Sequence, residues 1–246
     1  MITDSIFKQK QLKQLILAAL IALTSSANSQ IILNKTFKED RPSMMFSSII
    51  HENGFYKVIG VISPYNPPFE YARIVIAELD SIGQFIRYKS LYDTIPKRYG
   101  GFYNSLIKTS SNGYAFAGYS IDSLPRTLFS KFNTALDNIQ TYEYYTPFSW
   151  SFQGTGVTEF NNGMFYISGA RADSLSYLPD ICILKIDSQG SWLWEKYFGL
   201  LNQYETSHNI IPLLNGNLML GGSDPRAELY VVIGSGYRWH DGKAMA

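Results

Sequence analysis

The chain is short of charge and almost without cysteine. Only 17% of its 246 residues are Asp, Glu, Lys or Arg, and the formal net charge is +1. That balance gives no reason to expect nucleic acid or an anionic membrane surface as partner, since both recruit basic stripes. One cysteine, Cys182, excludes an intrachain disulfide, so the fold has to rest on its apolar core. Cys182 lies inside an apolar strand-like run, where a buried, inert thiol is expected rather than a nucleophile. The three histidines, His51, His208 and His240, do not pair at metal-ligand spacing. G-x-S-x-G and phosphate-cradling glycine loops are absent too. No catalytic residue, metal or cofactor is expected from these patterns. The apolar run at residues 15–23 is too short to span a bilayer, so no transmembrane segment is expected in the mature chain.

That run follows Lys8, Lys10 and Lys13 and leads into the small polar residues 24–29. A basic region, an apolar core and an Ala-x-Ser exit are the layout of a secretory signal peptide; the competing reading is a short amphipathic helix. Cleavage is expected after Ser29, leaving a formal charge of −1, and the protein is expected at or outside the surface of a bacterial cell.

Aromatic residues are plentiful: 18 tyrosines and 15 phenylalanines suit a strand-rich fold. Four Asn-Gly pairs punctuate the chain, at 53–54, 112–113, 162–163 and 215–216, with spacings of 59, 50 and 53 residues. Each stands between two short apolar strands, and Asn-Gly suits a two-residue type I′ hairpin turn with positive φ at both positions. A second hairpin follows in each unit. Its clearest copy is residues 180–199, DICILKIDSQGSWLWEKYFG, which breaks at Asp187-Ser188-Gln189-Gly190. Asp80 to Gly83 repeats that turn; at 133–136 the glycine is replaced by Leu136, so the middle turn is expected to be built differently.

Two hairpins repeating at about fifty residues read as four-stranded antiparallel blades. The expected fold is all-β, a β-propeller-like array of about four such blades. The pattern of apolar strand, Asn-Gly, strand ending in Gly, then LKIDSQGSWLWEKYFG resembles the repeats of secreted bacterial β-propeller-like proteins of kelch-like period. Many of those carry a carboxy-terminal sorting domain, and none is visible here. The resemblance implies fold and export, not an activity.

The expected segments are a signal peptide (1–29), propeller repeats (30–233) and an irregular tail (234–246), where GSGYRWHDGKAMA leaves the pattern. Within the repeats, 30–46 reads as an outer strand of the last blade, then come blades at 47–99, 100–153 and 154–206 and a partial blade at 207–233. Residues 31–37 align with the outer strand 192–198, so the amino end is expected to complete the last blade. A closed four-bladed ring and a piece of a longer propeller both fit; the second is preferred.

In a meander, the loops joining strands two and three and those joining blades leave the same end. Here those loops are the long ones. They carry Tyr65, Phe69, Arg98, Tyr99, Trp150, Phe152, Arg171, Tyr177 and Tyr204. Aromatic and arginine anchors of this kind suit a glycan or a protein partner. With no recurrent carboxylates, the expected function is non-catalytic binding of a protein or glycan. The alternatives are a glycan-active propeller enzyme or a fragment without function.

Overall fold

A computed structural model of the protein describes residues 44–62, 73–91, 97–101, 105–121, 125–145, 149–160, 163–173, 178–198, 203–213, 217–223 and 231–232. All of them belong to one compact unit, Lys38–Ala246. Every described element is a strand. The first sheet runs β1 (Met44–Glu52), β2 (Phe55–Ile62), β3 (Arg73–Leu79), β4 (Phe85–Ser90) in spatial order. The second holds β5 (Lys97–Gly100) and β6 (Leu106–Lys108), both on β7 (Tyr114–Ile121), then β8 (Pro125–Phe132) and β9 (Gln140–Tyr144). The third is β10 (Ser149–Phe160), β11 (Met164–Asp173), β12 (Pro179–Ile186) and β13 (Trp192–Phe198); the fourth is β14 (Thr206–Pro212), β15 (Leu218–Ser223) and β16 (Val231–Val232). All pairings are antiparallel and, apart from β5 on β7, join sequence neighbours, which makes each sheet a meander and the whole a β-propeller-like array of blades. The strand expected at residues 31–37 lies outside the described residues.

Three apolar layers hold the blades together, one per interface. Ile59, Ile74 and Ile76 of the first blade meet Tyr114, Phe116, Leu128 and Phe132 of the second. Ala117 and Phe129 on the other face of the second blade meet Val157, Ile167, Cys182 and Leu184. Ile181, Ile183 and Phe198 meet Ile210 and Leu220. Central strands are thus apolar on both faces, as continuous runs such as RIVIAEL and DICILKI require.

The turns depart from expectation twice. Asn53 and Gly54 have φ of 52° and 81°, the two positive values a type I′ turn needs. At the second pair only Asn112 (φ 65°) is left-handed. There Thr109 N donates to Gly113 O, Asn112 N to Thr109 O, and Gly113 N to the Thr109 hydroxyl, so the turn is a longer one led by Thr109. The middle Asp-type turn is the opposite correction: it matches its siblings. Asp80, Asn133 and Asp187 each accept from the backbone N–H groups two and four residues on. Leu136 adopts φ 60° where Gly83 and Gly190 have 77° and 83°. Its side chain, buried in the layer between the first two blades, offsets the strain of a left-handed leucine.

Candidate functional site: the mouth formed by the inner strands

The first strand of each blade touches the first strand or sheet of the next, so β1, β5–β6, β10 and β14 line the inside of the array. All but one carry a bulge at a matching level, between Phe46 and Ser48, Gly154 and Gly156, and Ser207 and Asn209. In the second blade the same level is the break between β5 and β6. Bulges of this kind re-aim side chains and are enriched beside active sites.

A belt of small residues joins the strands there. A Cβ on Gly100 would lie 3.1 Å from the Ser47 hydroxyl, one on Gly101 would lie 2.6 Å from the Thr155 carbonyl, and one on Gly156 would lie 3.2 Å from Asn209 Cα. The Thr155 hydroxyl donates to the carbonyls of Ser207 (2.6 Å) and Ser168 (3.1 Å), and the Ser207 hydroxyl to Gly169 O (3.0 Å). Leu106 N donates to the Ser48 hydroxyl at 3.3 Å. Close backbone approach, not side-chain packing, therefore closes the inner wall.

Within the first three sheets, the end of the second strand and the start of the inner strand fall at the same end, as the registers require. At that end Tyr99 stacks on Tyr119 with ring centroids 5.0 Å apart and 19° between planes. Burial, and then the neighbouring Tyr99, raises the Tyr119 phenol above its ordinary range. On the opposite face of β5, Arg98 donates to Glu143 Oε1 at 3.0 Å, and Arg126 holds the other oxygen at 3.6 Å. Arg126 also lies over the Tyr145 ring at 5.8 Å.

In the third blade Arg171 reaches Glu195 at 4.0 Å and sits over the Tyr197 ring, also at 4.0 Å. The Cys182 thiol donates to Glu195 Oε1 at 3.2 Å; full burial, then the Glu195 charge, pushes it well above the ordinary thiol range. Cys182 is thus the inert buried thiol its sequence context implied. Asp180 is the cross-strand partner of Arg171, and the N–H of fully buried Glu205 donates to Pro179 O at 2.8 Å. Glu205 stands one residue before β14, so two carboxylate residues, Asp180 and Glu205, neighbour one another at the mouth.

Of the residues singled out from sequence, Tyr65, Phe69 and Tyr177 lie outside the described residues. Trp150 and Phe152 are on β10, Phe152 opposite Arg171. Tyr204 is exposed just ahead of β14. Arg98 and Tyr99, adjacent in sequence, serve opposite faces of β5, and both Arg98 and Arg171 are engaged by carboxylates inside their own blades. Sequence reasoning missed Tyr119, Arg126, Glu143, Asp180, Glu195 and Glu205. A signal for two of them was present: the position seven residues before the turn residues Asp80, Asn133 and Asp187 holds Arg73, Arg126 and Asp180. Among the described residues no group of three or more His, Cys, Asp or Glu could hold a metal ion.

Among solved structures, this fold is shared with an endo-arabinase from Bacteroides thetaiotaomicron, at TM-score 0.53 and 15% identity, covering 85% of this chain and 81% of that one. A sucrose-6-phosphate hydrolase from Lactobacillus gasseri (TM-score 0.47, 12% identity) covers 77% of this chain, and a GH32 β-fructofuranosidase from Bombyx mori (0.43, 11%) covers 75%. The chain spans 45% and 48% of the lengths of those two proteins. No protein-family model matches the sequence, and no curated protein does. The expectation of a non-catalytic binder is corrected by the shared fold: the neighbour with which it is shared over most of both chains is an endo-arabinase, which favours the glycan-active alternative taken up below. A lack of recurrent carboxylates does not exclude glycoside hydrolysis, which needs two such groups at one site and not one per blade.

Proposed function

We propose that this chain is a glycan-active propeller enzyme that hydrolyses glycosidic bonds at the mouth of its inner strands. The observation that carries the reading is the fold shared over most of both chains with a protein described as an endo-arabinase. The mouth adds chemistry that suits it. Glycoside hydrolysis uses two carboxyl groups, one protonating the leaving oxygen and the other acting as base or nucleophile. Asp180 and Glu205, brought side by side where the Glu205 N–H donates to Pro179 O, are the nominated pair. The stacked Tyr99 and Tyr119 offer a flat face for a sugar ring, with Tyr204 exposed at the rim. Export to the cell surface or beyond, read from residues 1–29, belongs to the same proposal, since polymeric glycans are met there.

Reducing-end release from arabinan and a panel of other polysaccharides tests it. Asp180→Asn and Glu205→Gln should each lower kcat by a factor on the order of 10²–10⁴, the span of lost acid–base catalysis, with unfolding midpoints near wild type. Full activity in both variants removes the nominated pair. No release by the wild-type chain from any member of the panel removes the enzymatic reading.

A further inference from the structure

The faces by which the second and third blades pack on each other continue past their apolar layer to the mouth. Ala117 and Phe129 lie in that layer, so strand alternation puts Tyr119 and Thr127 on the same face, with Tyr99 paired to Tyr119. On the third blade Ile167, Cys182 and Leu184 lie in it. That places Arg171 and Asp180 on the facing wall, with Glu195 and Tyr197 beside them as cross-strand partners of Leu184 and Cys182. The inner end of this groove carries no side chains: Gly154 pairs with Gly169, and a Cβ on Gly154 would lie 2.7 Å from Gly118 O. One wall thus presents two stacked phenol rings, the other a guanidinium among carboxylates.

Arg171 is the group whose placement packing does not explain. Its guanidinium sits over the Tyr197 ring at 4.0 Å, and Nη1 lies 4.0 Å from Glu195 Oε1, outside hydrogen-bond reach. Nε is buried without a hydrogen-bond partner. Holding guanidinium donors out of water and unpaired costs stability, so such a group calls for a reason. Glu195 and Tyr197 fix the fork in place and leave its N–H groups unspent. A carboxylate is the usual partner of such a fork, but charge decides against one here. On these walls at the mouth, among the described residues, one cation (Arg171) stands against two carboxylates (Glu195 and Asp180), a formal balance of 1 − 2 = −1. A third carboxylate would meet that excess, whereas hydroxyl oxygens accept the same hydrogen bonds and bring no charge.

We propose that Arg171 is the specificity-determining residue of the mouth. Its guanidinium donates to adjacent hydroxyl oxygens of a sugar unit lying in this groove against Tyr99 and Tyr119, and the substrate class is a neutral glycan, with uronate polymers rejected. This rests on the glycan-active reading and narrows it. The phenol rings take the apolar face of the sugar, and the fork takes its hydroxyl edge. A site built to hydrogen-bond hydroxyls discriminates strongly, because its donors stay buried and unpaired when the wrong group arrives.

Affinity electrophoresis of the full chain tests this, with arabinan, galactan and xylan as neutral polymers and polygalacturonate as the acidic one. At least one neutral polymer should retard the wild type, and polygalacturonate should not. Arg171→Lys keeps the charge and loses the fork, so it should weaken that retardation about tenfold to a hundredfold, the worth of hydrogen bonds from a charged donor, with an unchanged unfolding midpoint. Retardation of Arg171→Lys equal to wild type overturns the proposal. So does stronger retardation by polygalacturonate than by any neutral polymer, or none by any of the four. Should Arg171→Lys fail to fold, Arg171→Met with Glu195→Gln removes both partners and strands no buried charge; wild-type retardation of that variant is equally fatal. Reducing-end release, scored separately, keeps the two readings apart. Release with Arg171→Lys binding normally sinks this proposal alone, and Arg171-dependent binding without release sinks the enzymatic reading alone.

Discussion

Leu136 is where two costs can be separated. It has φ 60°, a conformation that costs an L-residue about 1–2 kcal/mol, and its side chain is 1% exposed among Ile59, Tyr114, Phe116 and Leu128. Leu136→Ala keeps the backbone penalty and loses the burial, so it should destabilise by about 2–5 kcal/mol, the range for core leucine truncation. Leu136→Gly loses one methyl more but releases the left-handed strain, so it should be about 1 kcal/mol more stable than the alanine variant. Both should fall below wild type. Anywhere with negative φ the order of Ala and Gly is reversed, which is what makes the pair informative. Urea denaturation followed by tyrosine and tryptophan fluorescence gives the midpoints, with unchanged slopes showing that stability alone moved. An alanine variant more stable than the glycine variant refutes the strain argument. A glycine variant matching wild type refutes the burial argument.

Two further outcomes follow from the inter-blade contacts. Burial alone would raise the Glu78 carboxyl, but hydrogen bonds from Lys57 and Arg87 outweigh it and hold the group below its ordinary range. Its contribution is therefore full above the unfolded value near pH 4 and is lost as pH falls through the folded value. Glu78→Gln should cost roughly 2–4 kcal/mol at pH 7 by stranding buried Lys57, and its stability should converge on wild type in acid; parallel pH–stability curves would contradict this. Tyr144 donates to Gly190 O of the next blade at 2.8 Å, and burial pushes its phenol above the ordinary range. Tyr144→Phe should then cost about 1–2 kcal/mol, with no change between pH 6 and about pH 10, because the phenol stays protonated. A cost that grows across that interval in denaturant titrations would mean the phenol ionises.

The sequence by itself determined the local architecture, because turn chemistry and period-two patterning act over a few residues. Asn53–Gly54, the Asp80 and Asp187 turns and the aromatic outer strands were all legible from residue type and spacing. It misread the turn at Leu136, because what stabilises a left-handed leucine is an apolar layer contributed by another blade. It misread Asn112–Gly113 for a related reason: Thr109 supplies a side-chain acceptor that competes with the type I′ turn. The mouth belonged wholly to the tertiary structure. Asp180 and Glu205 are 25 residues apart and look unrelated in sequence, and only the pairing of Pro179 with Glu205 makes them neighbours. Arg98 and Arg171 looked like free anchors for a partner, and the fold engages both with glutamates of outer strands. Strands are specified by their neighbours in sequence. Sites in a propeller are specified by which strand starts converge on its axis, and that is a property of how the blades pack.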